Sequence, residues 1–150
     1  MSLRIPQNPL ISEILKAVSS AKTKKEKIEI LQQYKSECLQ ALLIWNFDET
    51  AKSALPEGPV PYTPNESPVG TEYHTRLTGE HRKFYHFIEG ASNISKNRRE
   101  SIFISMLESL SSEEADLLCL VKDKELTKKY RITHNVVKEA YPEIKWGNRG

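Results

Sequence analysis

An all-α fold is predicted for this 150-residue chain by two observations. Apolar residues recur at intervals of three and four, as in Ile11, Ile14 and Val18, which is the spacing that buries one face of a helix. Several of these stretches also begin just after a serine or threonine, the residue types that cap helix N-termini. Because 150 residues are enough for one core, we expect one helical domain spanning residues 1–150.

Three helices are predicted in the N-terminal third of the chain. Asn8 is expected to cap the first, with Pro9 at its first helical position. Thr23 and Glu26 form a capping box in front of the second. The third runs from about Glu37 to Phe47 and is apolar on almost every side, so we expect it at the centre of the domain.

The character of the sequence changes from Asp48 to Glu80. Five prolines and three glycines in this stretch forbid long helices. Tyr62, Val69, Tyr73 and Leu77 are spaced through it. We therefore expect a long, ordered-to-mobile, Pro-rich loop that these apolar side chains hold partly against the core.

Helical patterning resumes with a short aromatic stretch from Arg82 to Ile88. Ser95 is expected to cap the helix that follows, and Ser111 with Glu114 forms a second capping box. Thr133 is expected to cap the last, short helix. The C-terminal half thus predicts three further helices after the loop.

The composition narrows the class of protein. Twenty-two Lys and Arg residues against 20 Asp and Glu leave a net charge of +2, which is too small for chain-wide attraction to nucleic acid. No stretch has the length and apolar character of a secretory or membrane-spanning segment. Cys38 and Cys119 lie in apolar patterns without metal-ligand spacing. We expect a cytoplasmic protein with buried free thiols and no membrane attachment.

Motifs for catalysis and cofactor binding are absent. The sequence has no HExxH, no CxxC, no Gly-rich phosphate loop and no GxSxG turn. It therefore predicts no metal, no cofactor and no enzymatic activity. A hydrolase using His81, His86 or His134 would require two of these histidines beside a carboxylate in a cleft.

Local charge points to binding instead. Residues 82–99 contain five cations and one acid, and residues 122–150 contain eight cations and four acids, so that each stretch has a net charge of +4. Three predicted helix starts, at residues 21–25, 95–99 and 131–135, combine a hydroxyl group with cations. Backbone amides at a helix start, beside a hydroxyl and a cation, suit a phosphate group. This arrangement favours binding to the sugar-phosphate backbone without reading of bases.

Two blocks of the sequence carry a resemblance to a known family. The first, ISEILKAVSSAKTKKEKIEILQQYKSECLQALLIWNFD, has a short helix, a Ser/Thr-Lys break, a KxxIL-type helix and an aromatic, apolar helix. The second, FYHFIEGASNISKNRRESIFISMLESLSSEEADLLCLVKDKELTKKYRITHNVVKEAYPEI, places helices before a basic turn and a final short helix. Together they resemble the N-terminal all-helical DNA-binding domain of ATP-dependent DNA ligases, particularly the compact ligases of tailed phages.

The resemblance implies non-catalytic, largely sequence-independent binding of duplex DNA, in the host cytoplasm if the protein is phage-encoded. The sequence departs from the ligase pattern in two ways: the basic turn lacks a glycine, and the adenylated-lysine motif Lys-x-Asp-Gly is missing. Nick sealing is therefore not expected. Each implied contact residue also has a structural interpretation as a cap or a solvated charge. The residues implied to contact DNA are Thr23, Lys24, Lys25, Lys96, Asn97, Arg98, Lys129, Arg131, Thr133 and His134.

The alternative is a protein–protein adaptor that keeps the helical scaffold without binding DNA. The Pro-rich stretch EGPVPYTPNESPVG would then contact a phage or host protein, and Trp146 would be an exposed anchor. Surface charge separates the two hypotheses. Convergence of the three basic helix starts on a face clear of acids favours DNA, whereas Glu113, Glu114 and Asp116 on that face favour the adaptor.

Overall fold

The computed structural model describes residues 9–63 and 75–147. These residues contain no β-strand, only two isolated bridges, so the all-α prediction is confirmed. Two 3₁₀ helices, His81–Phe87 and Leu126–Lys128, accompany the α-helices. The α-helices of the described residues are α1 (Ile11–Ser20), α2 (Lys24–Gln33), α3 (Glu37–Phe47), α4 (Leu77–Glu80), α5 (Lys96–Ser109), α6 (Ser112–Lys122) and α7 (His134–Ala140).

The first helix starts later than the sequence suggests. Pro9 lies before α1, which begins at Ile11 with Leu10 in the N-cap position, and Asn8 lies outside the described residues. Leucine has no polar side chain to cap a helix. Instead, the Glu13 carboxylate accepts the Leu10 N–H at 2.8 Å. The predicted Asn8 cap with Pro9 at the first helical position is therefore wrong, because an acceptor from within the first turn makes the later start stable.

The third helix lies at the centre of the domain, as predicted. Ser36 caps it by accepting the Leu39 N–H at 3.1 Å. Leu39, Leu42 and Leu43 are fully buried. The Trp45 ring stacks on Phe87 and makes a tilted contact with Phe84, both in the 3₁₀ helix His81–Phe87. Because α3 also packs against α4 and α6, both of its sides are covered, which explains the nearly uniform apolar composition.

The N-terminal part of the Pro-rich segment, which the structure describes, is bound to α6 through Lys122. The ammonium group of Lys122 is fully buried and donates to the carbonyls of Pro56, at 2.6 Å, and Gly58, at 3.2 Å. It also pairs with Asp123 at 2.6 Å. A buried cation with three acceptors fixes this stretch against α6. Val69 and Tyr73, which were expected to pin the loop, lie outside the described residues.

The predicted loop ends earlier than Glu80. Residues Leu77–Glu80 form α4, which continues directly into the 3₁₀ helix His81–Phe87. Leu77 is fully buried, as the expectation that it pins the segment requires. Its N–H is accepted by the carboxylate of Glu114 at 3.1 Å. This long-range acceptor allows a helix to begin where the local glycine content argued against one.

Glu114 joins three helix starts. Ser111 caps α6 by accepting the Glu114 N–H at 3.4 Å, as predicted, but the carboxylate does not complete a capping box. It reaches out of α6 to the N–H groups of Ile11, at 3.0 Å, and Leu77, at 3.1 Å. Burial raises the pKa of this carboxyl group, while the two backbone hydrogen bonds favour its charged form. The predicted structural role for this acid is thereby extended from one helix to three.

The C-terminal segment closes the fold over α2 and α3. Ser95 and Thr133 cap α5 and α7 as predicted, accepting the N–H groups of Arg98 and Val136. The Tyr141 hydroxyl is buried and donates to the Leu31 carbonyl of α2. α2 accordingly packs on α7 as well as on α1, so the two ends of the described chain meet.

Candidate nucleic-acid interface

Two of the three predicted basic helix starts lie together. The start of α2 adjoins the basic turn that precedes α7, because the Lys27 ammonium donates to the Arg131 carbonyl. The Arg131 N–H in turn donates to the Ser19 hydroxyl at 2.9 Å. The N–H and the carbonyl of Arg131 are thus both hydrogen-bonded, while the residue as a whole remains exposed to solvent. This turn is therefore positioned in advance of any binding event.

A surface cleft of about 440 Å³ opens between these two helix starts, and we call it the α2–α7 cleft. Its lining contains three cations, several neutral hydrogen-bonding side chains and no carboxylate. Ile132 and Val136 form its apolar floor. The lining side chains that carry polar groups are Lys24, Lys27, Thr127, Tyr130, Arg131, Thr133 and Asn135.

Two cations around this cleft are already paired with acids. Lys24 forms an ion pair with Glu139 of α7 at 3.0 Å. Lys129 pairs with Asp116 of α6 at 2.8 Å, and this hydrogen bond is the main cause of the raised pKa of Lys129. Both pairs are roughly half exposed, so water and salt screen them. Of the acids that the sequence singled out, Asp116 therefore adjoins the basic turn, Glu113 pairs with Lys16, and Glu114 is buried.

Other cations at this surface lack an acidic partner. Lys25, Lys27 and Arg131 form no ion pair with a carboxylate of the described residues. Burial lowers the pKa of Lys27, and the neighbouring guanidinium of Arg131 lowers it further. The two cations therefore repel one another at the cleft.

The two threonine caps occupy the positions that the sequence predicted. Thr23 Oγ1 accepts the Glu26 N–H at 3.1 Å, and Thr133 Oγ1 accepts the Val136 N–H at 3.4 Å. Both residues are exposed. Since each oxygen accepts from the backbone, each hydroxyl proton is still available to a ligand.

His134 does not face the cleft in the way that its predicted role requires. Its ring stacks on Phe47 at 5.5 Å and contacts the Trp146 ring edge-on at 4.3 Å. Its Nε2 atom is buried without a hydrogen-bond partner among the described residues. Burial and the nearby Lys138 lower the pKa of this imidazole. The same packing makes Trp146 half-buried, so the expected exposed anchor is wrong.

The third basic helix start lies apart from the other two. Lys96, Asn97 and Arg98 are exposed at the beginning of α5. This helix packs on α6 and on the 3₁₀ helix His81–Phe87, whereas α2 packs on α1 and α7. The expected convergence of all three starts is thus replaced by a convergence of two.

Lys27 is a charged cleft residue that the sequence analysis did not single out. It lies three residues after Lys24 and therefore on the same side of α2. This spacing is the sequence feature from which a role for Lys27 beside Lys24 could have been predicted. Lys24 and Lys25 lie at the helix start, whereas the side chain that reaches the Arg131 carbonyl belongs to Lys27, further into the helix.

The remaining chemistry of the described residues is dispersed. His81 Nε2 lies 3.5 Å from a Glu37 oxygen, and His86 Nδ1 lies 2.9 Å from the Ser92 hydroxyl, so the two histidines have different partners. Burial raises the pKa of the Cys38 thiol to about 12 and that of the half-buried Cys119 to about 11. Among residues 9–63 and 75–147, no set of three His, Cys, Asp or Glu side chains is placed to hold a metal ion. Nor is any helix in these ranges long and apolar enough to cross a bilayer.

A comparison with known proteins places the chain in a protein family. The model of a family described as "Family of unknown function (DUF6433)" matches residues 14–128. No curated protein and no solved structure matches the chain. The resemblance to ligase DNA-binding domains stays a prediction. Since the match covers more than half of the sequence, the chain belongs to the family of unknown function DUF6433.

Proposed function

We propose that this protein binds duplex DNA without catalysis, through contacts of the α2–α7 cleft and its surroundings with the sugar-phosphate backbone. The observation that carries the proposal is the convergence of two basic helix starts, 104 residues apart in sequence at Lys27 and Arg131, over one cleft without a lining acid. Contacts of this kind depend on charge and hydroxyl groups and carry no sequence information.

The charges that support this function are the unpaired ones. Lys25 and Arg131 are exposed cations, and Lys27 stands between the turn and the cleft. Each phosphate that such a cation neutralises releases counterions from the DNA. With about three such contacts, the logarithm of the binding constant should fall with the logarithm of salt concentration with a slope of roughly −3.

The proposal is tested by titrating nicked, intact and single-stranded DNA over a series of salt concentrations. Two matched double variants make the test specific. The cleft variant combines Arg131→Glu in the α2–α7 cleft with Lys25→Glu beside it at the start of α2. The α5 variant combines Lys96→Glu with Arg98→Glu at the start of α5. Both reverse two charges at exposed positions. We expect the cleft variant to weaken duplex binding more than about tenfold and the α5 variant less than about threefold. A folded protein that binds no DNA at low salt would refute the function, and equal losses in both variants would refute the site.

A protein–protein adaptor remains the second candidate, because Glu139 and Asp116 neutralise Lys24 and Lys129 beside the cleft. The described part of the Pro-rich stretch does not support the loop as its contact surface. Pro56 and Gly58 are bound to Lys122, and the Thr63 N–H donates to Glu108 at 2.8 Å. For the adaptor, the same titration should give no salt-dependent binding to duplex DNA at all.

A further inference from the structure

The α2–α7 cleft contains two neighbouring cations whose charge is not balanced. Lys27 and Arg131 both line it, and neither pairs with a carboxylate of the described residues. Burial lowers the pKa of Lys27, and the charge of Arg131 lowers it further. Bringing two like charges together costs free energy unless an anion lies between them. The lining therefore contains two neighbouring positive charges that no carboxylate balances, rather than scattered positive charges.

Carboxylates beside the cleft divide the positive surface around this point. Glu139 stands on α7 against Lys24, and Asp116 stands on α6 against Lys129. Neither acid lines the cleft itself. A phosphate backbone that extends beyond the cleft brings further phosphates to the surface that carries these acids, whereas a single phosphate that contacts Lys27 and Arg131 lies in a lining without carboxylates. The arrangement thus disfavours a continuous polyanion relative to one compact anion.

We propose that the α2–α7 cleft binds a terminal phosphate group, a phosphomonoester, more tightly than an internal phosphodiester. The choice of a nucleic-acid end as its source rests on the proposed function. A phosphomonoester carries between about −1.5 and −2 charges at neutral pH and three acceptor oxygens, whereas a phosphodiester carries one charge. Two uncompensated cations match the first of these groups.

Neutral donors complete the coordination that such a group needs. Thr127, Thr133 and Asn135 line the same cleft. The Thr133 oxygen accepts the Val136 N–H and leaves its proton free to donate to a phosphate oxygen. The phosphate site consists of the two cations and the donors around them, without the amides of α7, a helix of seven residues.

The experiment compares three ligands by calorimetry with the full chain: a short duplex with 5′-phosphate ends, the same duplex with 5′-hydroxyl ends, and inorganic phosphate. We expect the phosphorylated duplex to bind about fivefold or more tighter than the hydroxyl form, because of the additional charge on each end. Lys27→Met and Arg131→Met should each remove this difference. Lys35→Met, at a half-exposed cation outside the cleft that Glu143 already neutralises, should preserve it.

The outcomes separate this inference from the proposed function. Equal binding of the two duplexes overturns the terminal-phosphate inference and leaves duplex binding intact. Binding of inorganic phosphate that Arg131→Met abolishes, without binding of either duplex, supports the phosphate site and overturns the duplex-binding function. Binding of none of the three ligands overturns both.

Discussion

Two clefts of equal volume and opposite charge open on the described surface. The α2–α7 cleft, about 440 Å³, is lined by three cations and no acid. A second cleft of about 440 Å³, between α6 and the stretch from Glu57 to Pro59, is lined by four acids and no cation, and we call it the acidic cleft. By charge alone the two are equivalent candidates for ligand binding. The acids that line the second are Glu57, Asp116, Asp123 and Glu125.

The two clefts differ in how their charges are balanced. Three of the acids in the acidic cleft are paired with lysines of the same chain, at distances between 2.6 and 3.1 Å: Asp116 with Lys129, Asp123 with Lys122, and Glu125 with Lys128. In the α2–α7 cleft, Lys27 and Arg131 have no such partner among the described residues. Charge that is balanced internally serves the fold, and charge that is left unbalanced is a better guide to a binding site.

The largest effect is expected where Asp123 of the acidic cleft loses its buried lysine partner. Lys122→Met should lower the free energy of unfolding by about 3 kcal/mol, because it leaves Asp123 and two backbone carbonyls without their buried donor. Urea denaturation at neutral pH measures this loss. Lys128→Met, which breaks the exposed pair with Glu125, is the control and should cost less than about 0.5 kcal/mol. A similar cost for both variants would contradict the comparison.

Releasing a balanced cation beside the α2–α7 cleft should strengthen DNA binding. Asp116→Asn frees Lys129 from its 2.8 Å ion pair. We expect duplex affinity to rise by about two- to fivefold at low salt and by less at high salt, as befits one exposed charge. Glu143→Gln is the matched control, since it frees Lys35 beyond the other end of α2. Unchanged affinity in Asp116→Asn would show that Lys129 does not contribute.

His134 should make stability depend on pH on the acidic side. Its pKa is lowered in the folded protein, so the unfolded chain binds more protons once the pH falls below about 6.5. Stability from the neutral ring is therefore complete above that value and is lost as the pH falls through the folded pKa. His134→Phe keeps the ring between Phe47 and Trp146 and should flatten the fall in melting temperature between pH 7 and 5. An unchanged slope would assign the acid sensitivity to other groups.

The smallest effect on stability is expected in the α2–α7 cleft itself. Lys27→Met removes one of two cations that repel each other, along with one hydrogen bond to the Arg131 carbonyl. These two contributions oppose one another, so the free energy of unfolding should change by less than about 0.5 kcal/mol. Measured beside Lys122→Met, the variant compares a lysine that holds the fold with one that does not. A loss above about 2 kcal/mol would make Lys27 a structural residue.

The features that could be predicted from the sequence are local ones. Thr23, Ser95, Ser111 and Thr133 all cap helices, because each bonds to a backbone N–H only three residues ahead. The central position of the third helix could also be predicted, because a helix that is apolar on all sides must be buried on all sides. These inferences need no knowledge of tertiary structure.

The features that the sequence did not reveal are contacts between distant segments. Glu114 bonds to Ile11 across 103 residues, and Lys27 reaches Arg131 across 104. The capping box predicted at Ser111 would have the Glu114 carboxylate accept the Ser111 N–H. Instead, the carboxylate accepts the buried N–H groups of Ile11 and Leu77, which would be costly to leave without an acceptor. Likewise, no spacing rule separates the start of α5 from the two starts that meet at the cleft, because helix packing determines which surfaces become neighbours.

The meeting of α2 with α7 determines when during synthesis the cleft comes into existence. While the ribosome is still adding the middle of the chain, the Ile11 N–H lacks its Glu114 acceptor and α2 lacks the helix that covers it. Contacts over such sequence separations form late and slowly. The N-terminal helices therefore remain unfinished until residue 140 has left the exit tunnel. Nascent chains shorter than this lack α7, and with it the wall that the C-terminal segment gives to the α2–α7 cleft.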